Sequence, residues 1–451
     1  MIKDMTQGHP GKLILGFAVP LLFGNLFQQF YNLMDTLIVG KFLGVTELAA
    51  VGATGSVNFL IIGFCTGICS GFAIPISQKF GARDESGMRR YVANSIWIST
   101  AFAVVLTVLT VALCRTILIW MKTPADIIDD SYAYIVIIFA GIPVTILYNL
   151  TSAIIRSMGD SKTPVIFLVI AALLNIVLDL FCILALHMGV AGAAVATVIS
   201  QAVSGVCCLI YMKKKYQILR MSREEMRFEP RMVIRLFVMG VPMGLQYSVT
   251  AIGSVVLQSA VNTLGSMAVA SVTAASKISM FFCCPFDALG ATMATFAGQN
   301  VGAGKPERIR RGLRTGNLFG IGYAAAAFVL LAAAGRYVAL LFVDSSEREI
   351  LDNVQLMLTA NSAFYIPLVF VNNVRFLIQG IGYSGLAIFS GASEMVARAL
   401  AGFLLVPVFG FPAVCFANPL AWVMADLFLI PAYFILMKRT QKELAYKKPG
   451  D

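Results

Sequence analysis

Twelve runs of about twenty or more consecutive, mostly apolar residues occupy nearly the whole chain, at 13–39, 48–78, 91–119, 131–155, 163–186, 190–212, 232–262, 268–298, 315–342, 354–379, 385–408 and 413–437. A run of that length crosses the ~30 Å hydrocarbon core of a bilayer as a helix. The other structure that satisfies every backbone polar group in lipid is a closed β-barrel, which needs alternating apolar and polar residues. Stretches such as Thr100–Leu113 do not alternate. Of the 451 residues 59% are hydrophobic and 13% charged, too few polar groups to cover a soluble fold of this size. The fold expected is all-α and integral to the membrane, with twelve transmembrane helices. A soluble enzyme, a disordered chain and a secreted disulfide scaffold are all poor fits.

The net charge of +11 would raise nucleic acid as a partner in a soluble protein. Here it reads as topology. Lys and Arg total 34, and 26 fall on alternate loops and on the two termini. Five (Lys41, Arg115, Lys122, Arg336, Arg348) fall on the opposite side, and Lys277, Arg375 and Arg398 lie within spans. Positive loops stay on the cytoplasmic side, so a multi-pass protein of the cell inner membrane with both termini cytoplasmic is expected. The nine cysteines all lie in apolar stretches and none pairs with a histidine at a zinc spacing. They read as small packing residues, and no metal site, cofactor or catalytic group is expected.

An internal repeat organises the chain. Val19-Pro20 recurs as Val241-Pro242, 222 residues on, and Gln78-Lys-Phe-Gly81-Ala82 as Gln299-Asn-Val-Gly302-Ala303, 221 on. Arg89-Arg90 recurs as Arg310-Arg311, and Arg156-Ser-Met-Gly159 is echoed by Gln379-Gly-Ile-Gly382. Chance likeness between apolar segments would not hold a constant offset. The reading is a six-helix lobe over 1–212, a basic cytoplasmic linker over 213–231, a second six-helix lobe over 232–437 and a cytoplasmic tail over 438–451. An even number of spans per copy relates the two bundles by a pseudo-two-fold axis along the membrane normal.

A charge inside the hydrocarbon is expensive and marks a functional candidate. The candidates are Asp35, Asp179, Lys277, Asp287, Glu394, Arg398 and Asp426. On the first span Asn25, Gln28, Asn32 and Asp35 recur at helical spacing, a stripe expected to line the interior of the first lobe. Asn175 and Asp179 share a face of the fifth span. Counted from the outer ends of their spans at ~1.5 Å per residue, Asp35, Asp179 and Thr197 lie at one depth, so the two carboxyls are expected to couple. Desolvation disfavours the ionised form of a carboxyl and a neighbouring carboxylate disfavours it further, which suits binding and release of a proton. The same oxygens could ligate sodium; protons are favoured. Gln28, Tyr31, Asn32, Tyr148 and Asn149 are candidates to line a substrate cavity. The second lobe has Val256 where the offset carries Asp35. It has Glu394 and Arg398 four apart as an internal polar pair, and Asp287 after Pro285, where the helix could break. The nearest approach to a nucleotide-binding P-loop, Gly298 to Pro306, has Ala303 where glycine is needed and no Ser or Thr after Lys305. An ion gradient is therefore the expected energy source.

Several motifs together resemble one transporter family. They are Asp35-Thr-Leu-Ile-Val-Gly40 with Leu43-Gly44 and Leu48-Ala49-Ala50, the repeated Gln-x-x-Gly-Ala, Arg156-Ser-Met-Gly-Asp160, and Gly192-Ala-Ala-Val-Ala-Thr197-Val-Ile-Ser-Gln201. The chain looks like a member of the multidrug and toxic compound extrusion (MATE) family, similar to its MepA-like bacterial members. The resemblance implies two six-helix bundles in a V and export by alternating access of small, lipophilic, cationic drugs in exchange for H⁺ or Na⁺. It also implies an ion site at Asp35, Asn175, Asp179 and Thr197. Family members with a sodium site in the second lobe use acids on helices 7 and 10. Here the apolar part of helix 7 has none and helix 10 has only Arg375, so no such site is expected. Membrane lipid is the expected surrounding, nucleic acid is not a partner, and a monomer is expected. A lipid-linked oligosaccharide flippase is the alternative, but it would favour a cationic cavity, whereas the first lobe carries two acids. An intramembrane aspartyl protease needs Gly-x-Gly-Asp, and Ser157 stands at its first glycine.

Overall fold

The computed structural model describes residues 3–446. Among them there is no strand. The helices run α1 (Pro10–Phe42), α2 (Val45–Ala53), α3 (Gly55–Gly81), α4 (Glu85–Trp120), α5 (Ile128–Ala140), α6 (Ile142–Ser157), α7 (Lys162–Leu180) and α8 (Gly189–Lys215). They continue as α9 (Pro230–Asn262), α10 (Ser266–Gly302), α11 (Pro306–Ala339), α12 (Arg348–Ala363), α13 (Tyr365–Gly380), α14 (Gly385–Leu400), α15 (Val406–Phe409) and α16 (Phe411–Tyr446). Ten continuous helical stretches are long and apolar enough to span a bilayer. The pairs α5–α6 and α12–α13, bent by 46° and 51°, bring the number to twelve. Large apolar side chains such as Val177 (63% exposed) and Leu318 (69%) point outward. In water that would be costly; against acyl chains it is the expected surface.

Two helical expectations are corrected. The run 48–78 is interrupted at Thr54, between α2 and α3, where Gly52 and Gly55 flank a junction of low helix propensity. Pro285 does not break its helix: α10 is continuous from Ser266 to Gly302 with the proline inside. A carbonyl in the turn ahead of it, that of Phe282, accepts from the Tyr323 hydroxyl at 3.0 Å, one of the ways a transmembrane helix re-satisfies the groups a proline disturbs.

The repeat is written in the backbone. Eight of the eleven positive φ angles among the described residues fall in pairs: Gly44 (123°) and Gly265 (93°), Arg83 (58°) and Gly304 (66°), Gly159 (84°) and Gly382 (108°), Gly189 (60°) and Gly410 (63°). Each member stands 221 or 223 residues from its partner. The two bent spans recur with the same spacing, and α7 and α14 each end in a π turn, at Phe181–Ala185 and Ala401–Leu405.

The described residues form two compact units, one of 3–4 with 23–244 and one of 5–22 with 245–446. Of the three cuts, those after residues 22 and 244 fall within helices, α1 and α9, and the one after residue 4 precedes α1. In the first unit α3 and the start of α9 meet through glycines. A Cβ on Gly71 would stand 2.5 Å from the Gly240 Cα, and one on Gly67 2.7 Å from the Gly244 Cα. Small residues four apart on both helices let the backbones touch, the usual basis of close packing in lipid. The unit's core mixes aliphatic and aromatic side chains, with Phe72, Ile76, Met88, Phe139 and Ile155 fully buried. In the second unit Phe286 is packed edge-on between Tyr323 and Tyr365, both centroids 5.2 Å away.

Beyond α8 the chain makes a short turn at Gln217–Leu219 and then lies along the start of α4. Glu225 accepts from Arg89 Nε at 2.9 Å and from the Ser222 N–H at 2.9 Å. Trp97 Nε1 donates to the Met226 carbonyl at 3.0 Å, and the Glu229 N–H to Asn94 Oδ1 at 2.8 Å. The linker is thus built into the first unit. The Arg89 guanidinium, then the Ser222 backbone, holds the Glu225 carboxyl down from 4.5 to about 2. Because that value is depressed on folding, the contact stabilises fully above pH 4.5 and is lost as pH falls toward 2. Glu225→Gln is expected to cost roughly 1–2 kcal/mol at neutral pH. It should also flatten the loss of melting temperature between those two pH values, measured by thermal unfolding in detergent.

Candidate functional site

The first unit brings four acid, amide and hydroxyl side chains to one point from α1, α7 and α8. Asn175 and Asp179, one turn apart on α7, are fully buried at 0% exposure. In the amide orientation that satisfies both neighbours, Asn175 donates to Asp179 Oδ2 at 2.8 Å and accepts from the Thr197 backbone N–H at 3.1 Å. Thr197 Oγ1 and the Tyr31 hydroxyl hydrogen-bond at 3.1 Å. Asp35, one turn beyond Tyr31 on α1, is half-buried, and its carboxyl lies close enough to that of Asp179 for the two to interact directly. One oxygen of each acid, Asp35 Oδ1 and Asp179 Oδ1, is buried without a partner. Two ionised carboxylates this close would repel, so the arrangement is one that favours uptake of a cation or a proton.

The expected set Asp35, Asn175, Asp179 and Thr197 is therefore one cluster. Tyr31, expected to line a substrate cavity, belongs to it as well. Tyr134 on α5, which the sequence reading missed, is buried and within electrostatic reach of Asp35, Tyr31 and Asp179. As an aromatic in an apolar span, it carried no signal of its own. Of the polar stripe on α1 only Asp35 makes this contact. Gln28 and Asn32 are exposed rather than inside the unit. Gln28 shares the azimuth of Asp35 but lies about 10 Å along the axis, and Asn32 is rotated about 60° from it. Tyr148 and Asn149 are half-buried on α6 and bonded locally, the phenol to the Pro164 carbonyl at 3.5 Å and the amide to the Thr145 carbonyl at 2.8 Å.

A second polar centre lies in the other unit. Glu394 on α14 accepts from Arg375 Nη1 on α13 at 2.7 Å and from Arg398 Nη2 at 3.4 Å. The expected pair Glu394–Arg398 exists, but its shorter partner is Arg375, nineteen residues away on another helix and invisible to spacing. Arg375 Nη2 also donates to Asn372 Oδ1 at 3.2 Å, and Arg398 Nε to Asn418 Oδ1 at 3.2 Å. Asp426 on α16 is buried and within electrostatic reach of Arg375 and Glu394. Asp287 is exposed on α10, within reach of Arg375, and Lys277 is exposed on the same helix.

Comparison with known proteins adds a family pattern. The family model described as MatE matches residues 20–181 and again 242–404, once in each copy of the repeat. The chain is 30% identical over 389 residues to YpnP, a probable multidrug resistance protein of Bacillus subtilis (strain 168), with 84% of this chain and 83% of that protein covered. It is 25% identical to the multidrug export protein MepA of Staphylococcus saprophyticus over 60% of each chain. Among solved structures, a MATE protein in complex with MaL6 superposes with a TM-score of 0.91 at 23% identity, covering 97% of this chain and 99% of that one. An outward-facing MATE family transporter gives 0.91 at 22%, covering 97% and 98%.

Removing one partner of a buried ion pair leaves the other charge uncompensated, at a cost of ~3–5 kcal/mol. Arg375→Met is expected to lower the melting temperature far more than Arg115→Met, whose partner Asp129 is on the surface. Unfolding followed by fluorescence in detergent measures the difference.

Proposed function

The chain belongs to the MatE family of multi-pass membrane transporters, and from that premise we propose that it is a proton-coupled antiporter that exports lipophilic cationic drugs. The relatives' names, multidrug resistance and multidrug export protein, support the substrate class. The observation that carries the coupling mechanism is the contact between the Asp35 and Asp179 carboxyls in the first unit.

With one proton between them the two carboxyls hold together. Without it they carry like charges in a place with little water, and that negative charge attracts a lipophilic cation. Proton and drug thereby compete for one centre. A ligand can shift a conformational equilibrium only by binding its two states differently, and this competition supplies the difference. Protonation from outside closes the pair and releases the drug; loss of the proton inside reopens it. Asn175, which reaches Asp179 and the Thr197 backbone together, and Thr197, bonded to Tyr31, would carry the change in charge from α7 to α1 and α8. A pH difference and the membrane potential, about 2.3 kcal/mol per charge per 100 mV, drive the cycle. We place both termini on the cytoplasmic side, the side on which the Lys and Arg residues concentrate.

In proteoliposomes loaded with a fluorescent cation, an inward proton gradient imposed alone is expected to drive efflux. A sodium gradient alone should not. Asp35→Asn is expected to reduce proton-driven efflux at least tenfold with expression and melting temperature near normal. Full retention of transport by that variant, or efflux driven by sodium alone, contradicts the reading.

A further inference from the structure

The two polar centres occupy corresponding places in the repeat but carry opposite chemistry. In each unit a polar pair with i, i+4 spacing precedes a π turn on the fifth span: Asn175 and Asp179 before Phe181–Ala185, Glu394 and Arg398 before Ala401–Leu405. In each, one member bonds to the sixth span at positions 221 apart, Asn175 to the Thr197 backbone N–H and Arg398 to Asn418 Oδ1. The same offset separates Gly189 from Gly410 at the start of those spans. On the first span of each repeat, Tyr31 bonds Thr197, whereas Gly253, 222 residues on, bears no side chain. A Cβ on Gly253 would stand 3.4 Å from Arg398 Nη1. The glycine leaves the room that the guanidinium fills.

The charges differ accordingly. The first unit has two acids and no basic group in its cluster, a centre that takes up a cation from outside. In the second unit two guanidiniums bond Glu394, and Asp426 lies within electrostatic reach of Arg375, so with Asp426 ionised the formal charges of those four side chains cancel. An arginine is charged at every accessible pH and is covalently attached. Arg398 is only 6% exposed, with Nη1 buried and without a partner, so this cation sits in the protein and does not snorkel to water.

We propose that Arg398 is a tethered cation: braced on Asn418, it holds beside Glu394 the place that a mobile ion takes in the first unit, and so confines ion exchange to the Asp35–Asp179 centre. Arg398 is in this sense an ion-specificity residue acting by occupation, and the second unit contributes no transported ion to the cycle. The inference rests on the first-unit carboxyl pair being the exchanging site. With Asp426 ionised, as in alkaline buffer, removing the guanidinium leaves one uncompensated negative charge among the side-chain oxygens of Glu394, Asn418 and Asp426, a setting that accepts a small monovalent cation.

Equilibrium binding of radiolabelled sodium to the purified full chain in alkaline buffer tests this without reference to transport. Arg398→Gln is expected to bind about one more Na⁺ per chain than the unaltered protein, and adding Glu394→Gln is expected to abolish the gain. A folded Arg398→Gln protein with no added sodium binding overturns the proposal. A second measurement uses the charge-neutral double variant Glu394→Gln/Arg398→Gln in proteoliposomes. Its efflux is expected to keep the pH and sodium dependence of the unaltered protein, and a changed ion dependence also overturns the proposal. If the transport reading itself fails, the sodium-binding result is unaffected, so the two failures are distinguishable.

Discussion

Hydrocarbon offers no partner to a polar group, and every level of this molecule answers to that fact. Backbone amides and carbonyls must bond within their own segment, so the spans are helices. Side chains that face outward are apolar, from Val177 on α7 to Leu318 on α11. The few buried charges have nowhere to go but toward each other. Asp35 meets Asp179 in one unit, and Arg375 and Arg398 close on Glu394 in the other. The position of each charged centre is thus a consequence of the solvent, and its chemistry a consequence of which residues meet there.

The repeat separates scaffold from chemistry. Turn glycines, the two bent spans and the π turns recur at nearly constant offset, because each is a backbone solution to the same packing problem. The polar centres recur in place but not in kind. One unit has acids and a tyrosine where the other has an arginine and a glycine. On the proposed reading, a duplicated framework keeps its geometry while one copy exchanges an ion and the other is filled by its own side chain. The family model, matching once per copy, follows the framework and is indifferent to this divergence.

Much of this was legible in the residues alone. Span count, repeat and the grouping of Asp35, Asn175, Asp179 and Thr197 follow from apolar run length, a constant offset, and spacing combined with depth. These are properties of one helix at a time plus the thickness of a membrane. What escaped depends on which helices are neighbours. Arg375 and Glu394 pair across two helices, and no periodicity relates residues nineteen apart on separate elements. Tyr134 joins the acid cluster as an ordinary-looking aromatic. Gln28 and Asn32 share a stripe with Asp35, yet a stripe reports azimuth and not where the neighbouring helices end. The break at Thr54 and the continuity through Pro285 show the same limit, since propensity is decided finally by packing and by partners such as Tyr323.

The central claim is that one proton and one drug cation compete for the Asp35–Asp179 pair. Its most direct measurement is proton release on drug binding, followed with a pH-indicator dye in a weakly buffered solution of the detergent-purified protein. Near neutral pH, adding a saturating lipophilic cation should liberate close to one proton per chain bound, and Asp179→Asn should bind without liberating any. Drug binding by the unaltered protein with no proton release, at any pH where the drug binds, would contradict it.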